Sequence, residues 1–131
     1  MPQLRKGGKW VFGWCIVGAT GEVQIPPEAF SEYSFQPGES VIILRGSRRS
    51  GGFSIGKQEI LADSVPLLRR SLGQGVISYE RRIAVPLEIN VQSGNCLLAV
   101  RGSGYAVLFI TGGPICDEKL LHPEIERFAI S

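Results

Sequence analysis

One stretch of this chain is written twice. Val23-Gln24-Ile25-Pro26-Pro27-Glu28 returns sixty positions later as Ile83-Ala84-Val85-Pro86-Leu87-Glu88. Gln36 to Ser47 then returns as Gln92 to Ser103, with four fewer residues between the two blocks. Seven of the eighteen aligned positions are identical, where ordinary composition gives about one, and the apolar positions agree in kind. Such spacing points to an internal duplication, two copies of one supersecondary unit that bury a common face. A chain of 131 residues with 44% hydrophobic side chains can enclose one core and is short for two. A single domain over residues 1–131 is therefore expected, with halves at about 9–56 and 74–112.

Each copy reads as short strands joined by tight turns. In the first, Trp10 to Val17 is rich in β-formers, Gly18 to Gly21 is a turn, and Glu22 to Ile25 is a strand ended by Pro26. Pro27 stands where a helix tolerates proline, which predicts a short helix to Tyr33. Gln36-Pro37-Gly38-Glu39 is a turn, with proline first and a glycine for the positive φ that follows. Val41 to Leu44 is a buried strand, residues 46–52 a loop, and Phe53 to Ile55 the return strand. The second copy is expected to repeat this with strands at Val76 to Ile77, Arg82 to Val85, Leu97 to Val100 and Tyr105 to Ile110. Its helix is reduced to a turn at Leu87 to Asn90. A helical tail is expected after each copy, Gln58 to Leu72 and Asp117 to Phe128, with Asp117 as the N-cap; such tails would cover open strand edges. With 17 glycines and 8 prolines, an all-β fold with short helices is the reading.

Cys15, Cys96 and Cys116 are odd in number and far apart, with no C-x-x-C pair, so neither a disulfide framework nor a thiolate zinc site is indicated. The one histidine, His122, stands beside Pro123, and no Ser/His/Asp set or G-x-S-x-G turn accompanies it. No enzyme, no cofactor and no metal are implied. Gly46 to Gly52 lacks the lysine and following helix of a phosphate-cradling loop. Apolar runs such as Val41 to Leu44 and Leu97 to Val100 fall far short of the about 20 residues of a membrane helix. The N-terminal stretch lacks a signal-peptide core, so a cytoplasmic location is expected.

The net charge is +2, but it is spread unevenly. Residues 45–82 carry eight bases (Arg45, Arg48, Arg49, Lys57, Arg69, Arg70, Arg81, Arg82) against Glu59, Asp63 and Glu80, and residues 1–9 carry Arg5, Lys6 and Lys9 with no acid. Arginine's planar fork suits phosphates and base edges, although arginines also serve as solvated faces and carboxylate partners. The twin strings Arg45-Gly46-Ser47 and Arg101-Gly102-Ser103 admit two readings, an anion site or strand ends in which each arginine satisfies a carboxylate.

The string G-E-V-Q-I-P-P-E-A-F-S-E-Y-S-F-Q-P-G-E-S-V at Gly21 to Val41 resembles the swapped-hairpin element of the AbrB/SpoVT/MazE superfamily. The shared pattern is a turn glycine, a β-branched strand ending in Ile-Pro, a short helix, then x-Pro-Gly-Asp/Glu and an apolar strand. It covers about 35 residues, and the second half repeats it in degraded form. The resemblance implies a swapped-hairpin, cradle-loop type barrel that two chains normally build together, here formed by an internal tandem repeat. A folded monomeric pseudo-dimer is then expected. It also implies a transcriptional regulator that binds double-stranded DNA. The nucleic-acid-binding residues expected are Arg48, Arg49, Arg81 and Arg82, assisted by Arg5 and Lys6. The position after the turn glycine, often arginine in DNA-binding members, is Glu22 in the first copy and Arg82 in the second. Beyond the Ile-Pro come Glu28, Ala29, Phe30, Ser31 and Glu32 in place of bases. The alternative is a non-enzymatic barrel for a ligand or a protein partner that has lost DNA binding.

Overall fold

The computed structural model describes residues 11–46, 51–57, 69, 71–102, 106–111 and 125–130. They form nine strands and one short helix: β1 (Val11–Ile16), β2 (Glu22–Gln24), α1 (Pro27–Glu32), β3 (Ser40–Arg45), β4 (Phe53–Lys57), β5 (Ser71–Val76), β6 (Arg82–Ala84), β7 (Cys96–Arg101), β8 (Ala106–Ile110) and β9 (Arg127–Phe128). Seven strands make one mixed sheet in the order β5-β3-β4-β8-β7-β1-β9, and β2 and β6 pair as a separate ribbon. Pro27 sits in the first turn of α1, and Gly38 takes φ +83° in the Pro-Gly turn, as the local chemistry demands.

The ladders of the two halves have the same registers. Ser40, Val41, Ile42 and Ile43 of β3 face Val76, Gly75, Gln74 and Gly73 of β5; Cys96, Leu97, Leu98 and Ala99 of β7 face Ile16, Cys15, Trp14 and Gly13 of β1. Both ladders then slip at the same point, past Phe12 in β1 and past Leu72 in β5. These partners are related by the same shifts of sixty and 56 that align the sequence blocks. In the ribbon, Val23 faces Ile83. The turns agree too: Gly18 N–H donates to Glu22 O and Ser78 N–H to Arg82 O, at 2.8 and 2.9 Å. Exchanging each strand of one half for its counterpart leaves the order β5-β3-β4-β8-β7-β1 unchanged on reversal.

The main core lies between the sheet and the ribbon with α1. Phe53 and Phe109, paired across β4 and β8, stack at 5.1 Å within it, joined by Val23, Ile83, Val41, Ile43, Leu97 and Ala99. The alternate residues of β7, Leu98 and Val100, enter a second cluster with Val11, Ile110 and Ile125. That is why β7 reads as a continuous apolar run, since a strand buried on both faces has no polar side.

Two expected tails need correction. The helix to Leu72 is not formed at its end, because Ser71 and Leu72 belong to β5, which runs antiparallel to β3. Likewise the helix to Phe128 gives way to β9, which adds parallel to β1 through Trp14↔Arg127 and Cys15↔Phe128. Most of Gln58 to Leu72 and of Asp117 to Phe128 lies outside the described residues. Among the described residues no helix is long and apolar enough to cross a membrane.

Candidate nucleic-acid interface

The ribbon places the surviving arginine pair. Antiparallel pairing of β2 with β6 turns Val23 and Ile83 inward, where both are buried, and sends Glu22, Gln24, Arg82 and Ala84 to the other face. Gln24 and Arg82 face each other, and Arg82 Nε donates to Gln24 Oε1 at 3.4 Å. The Gln24 amide in turn donates to the carbonyls of Glu80 and Arg81, at 2.9 and 3.1 Å. Arg82 is thus held at the strand start by a side chain whose own position is pinned to the turn.

Arg81 occupies the turn itself. Its φ is +65°, the left-handed region, where the matching turn position of the first half holds Gly21 at φ +80°. A residue with a Cβ costs roughly 1–2 kcal/mol there. The surroundings hold it in place: Arg81 N–H donates to Ser78 O at 2.9 Å, and its carbonyl accepts from Ile25 N–H at 3.0 Å and from Gln24. Its guanidinium lies 4.8 Å from the centroid of the Phe30 ring, which α1 presents from a largely buried position. Phe30 is braced edge-on by Phe35, 6.2 Å away. The cation–π contact holds the Arg81 guanidinium over the Phe30 ring, and Arg81 is exposed.

Acidic groups surround this corner. Glu22 lies on the ribbon and accepts from Thr20 Oγ1 at 3.2 Å, Glu80 precedes Arg81, and Glu28 stands on the first turn of α1. Glu32 is engaged elsewhere: Arg101 Nε and Nη2 reach its two carboxylate oxygens at 2.6 and 2.5 Å. Hence Arg101, one of the twin Arg-Gly-Ser arginines, is a carboxylate partner.

Of the six arginines and lysines expected at the interface, Arg81 and Arg82 are brought together, while Arg48, Arg49, Arg5 and Lys6 lie outside the described residues. Two contributors were not expected, Phe30 as the platform for Arg81 and Gln24 as the tether of Arg82. Arg81 carries a sequence signal in hindsight, since it aligns with a turn glycine. Phe30 and Gln24 carry none, because both act across the ribbon. Cys15 is buried and Cys96 exposed, both as free thiols, and among the described residues no group of three His, Cys, Asp or Glu side chains is placed to hold a metal. No family model, no curated protein and no solved structure matches the chain.

Proposed function

We propose that the chain is a swapped-hairpin barrel of the AbrB/SpoVT/MazE kind, formed by duplication within one chain. We propose further that it binds duplex DNA as a transcriptional regulator at the Arg81–Arg82 end of the β2/β6 ribbon. The paired registers of β3/β5 and β7/β1 support the duplicated architecture. Because each half finds its complement in cis, the chain folds as a monomer.

A single observation carries the DNA reading. An arginine stands in a left-handed turn position where the other half has glycine, with its guanidinium over Phe30 and Arg82 following it in the chain. Retaining a strained side chain where glycine fits better is the mark of a residue kept for what its head group does. Two guanidinium groups carried by consecutive residues suit phosphate oxygens and base edges. Glu22 at the position matching Arg82 makes the contact one-sided, so a single half grips the backbone.

Fluorescently labelled duplex titrated at several salt concentrations tests this. Replacing both arginines in Arg81→Ala/Arg82→Ala removes two phosphate contacts and lowers the slope of log affinity against log salt by about 1.8. Binding that is absent at low salt, or a slope unchanged by the double substitution, overturns the reading. The second reading, a protein-interaction barrel, is favoured by Glu22, Glu28 and Glu80 around the arginine pair, and it gains from either of those outcomes.

A further inference from the structure

Strands β1 and β5 correspond residue for residue at the shift of sixty, and both ladders slip beside a glycine, Gly13 and Gly73, with φ of +154° and +127°. On β1 the outer edge is taken by β9. Trp14 pairs in parallel with Arg127 and Cys15 with Phe128, and Trp14 N–H donates to Glu126 O at 2.9 Å. Gly13 is the notch that admits this strand, because a Cβ there would stand 2.5 Å from the Phe128 ring. Two residues on, Ile130 lies 3.0 Å from the place of a Cβ on Gly18. On β5 the corresponding groups face solvent. Among the described residues β5 ends the sheet, and Ser71, Gly73, Gln74 and Val76 are exposed, Val76 at 60%. A Cβ on Gly73 would meet no described atom within 4 Å. Ile42 faces Gln74 as Leu98 faces Trp14, so the Gln74 N–H points away from β3 just as the Trp14 N–H points away from β7 toward Glu126.

We propose that the β5 edge binds an extended peptide segment of another protein, added in parallel as β9 is added to β1. An aromatic residue of that segment seats on Gly73, and an aliphatic residue two positions later lies at the Val76–Ser78 end. An open edge offers its main-chain N–H and C=O groups as a template for a further strand; those bonds supply affinity, and the glycine notch selects the ring. Residues 71–76 carry no charge, so selection rests on shape. A second copy is the poorer occupant, because each chain has one β9 and seats it on its own β1; lending it to a neighbour would empty that edge. The inference uses the matched registers of the two ladders and no part of the DNA contact.

The probe is a capped peptide with the sequence of the chain's own Ile125-Glu126-Arg127-Phe128-Ala129-Ile130, titrated into the full chain and followed by amide NMR. Saturable shifts are expected on Gly73, Gln74, Gly75 and Val76. The same peptide carrying Phe128→Ala should bind at least about tenfold more weakly, a comparison that leaves the protein itself unaltered. In the chain, Gln74→Pro removes the outward N–H, a donor that β3 does not use, so it should keep the wild-type melt and abolish binding. No saturable shift at millimolar peptide, shifts confined to β1 where the peptide displaces β9, equal affinity of the two peptides, or undiminished binding to Gln74→Pro would overturn the proposal. Shifts on β5 that arise on concentrating the chain alone, with a dimer in sedimentation, would make a second copy the occupant and overturn it equally.

Discussion

Arg81 separates backbone strain from side-chain function, because two substitutions remove the same head group and leave different backbones. In Arg81→Ala the Cβ stays in the left-handed turn; in Arg81→Gly it is gone, and the position becomes what Gly21 already is in the other half. Relief of the left-handed strain is worth roughly 1–2 kcal/mol. The freer unfolded glycine returns about 0.4–1 kcal/mol of that. The glycine variant should therefore exceed the alanine variant by about 0.5–1 kcal/mol. Both variants lose the contact over Phe30, about 0.5–1 kcal/mol at an exposed site. Arg81→Gly should thus melt close to the wild type and Arg81→Ala about 2–4 °C lower, at the slope expected for a domain of this size. In DNA titrations the order changes: both variants should lose one phosphate contact, about 0.9 in salt slope, because only the head group matters there. The assay is thermal melting by circular dichroism beside duplex titration on the same preparations. An alanine variant as stable as the glycine variant would refute the strain, and a glycine variant that bound DNA like the wild type would refute its purpose.

Tyr33 is half-buried, and its hydroxyl, itself shielded from solvent, finds no hydrogen-bond partner, so Tyr33→Phe should stabilise the fold by about 1 kcal/mol, read by urea denaturation. Burial, and then the Glu32 carboxylate, raise the Tyr33 phenol above its ordinary value near 10, with Arg101 opposing. A raised folded value favours the protonated form. Its stabilising contribution is complete below pH of about 10 and is lost as the pH climbs through the folded value. Stability of the wild type should accordingly fall at high pH relative to Tyr33→Phe. Burial, and then the neighbouring Cys96, push the Cys15 thiol far above its usual range. Native alkylation of a Cys116→Ser variant, followed by mass spectrometry, should label Cys96 and leave Cys15 unmodified until the chain unfolds.

How much of this could be read from residues alone differs between the halves for physical reasons. In the first half the punctuation is strong: Pro26-Pro27 opens α1, Pro37-Gly38 makes the turn, and Val41 to Leu44 is apolar throughout. The observed elements match those limits within a residue or two. Strand β5 carries no such marks. Its Ser71-Leu72-Gly73-Gln74-Gly75-Val76 has no apolar alternation, and it is extended because β3 pairs with it. A Cβ on Gly75 would stand 2.9 Å from Ile43 and 3.1 Å from Ile83, so that glycine serves a close packing partner far away in sequence. Strand β9 is legible only from its partner β1. Gly13 leaves the space that the Phe128 ring fills, 2.5 Å from where a Cβ would be, and Ile125 is drawn into the outer cluster. Charged flanks such as Glu124 and Glu126 read as helix in the absence of that contact. At the candidate interface, charge clustering exposed Arg81 and Arg82. The Phe30 platform and the Gln24 tether depend on the β2/β6 pairing, which no local pattern announces.

The most direct test of the interface is an NMR titration of the isotopically labelled chain with a short mixed-sequence duplex at low salt. Among the described residues the largest amide shifts should fall on Glu80, Arg81, Arg82 and Gln24, with a smaller effect at Phe30, and they should vanish in Arg81→Ala/Arg82→Ala. Shifts confined to other surfaces, or none while the duplex is in excess, would contradict a DNA contact at this corner of the ribbon.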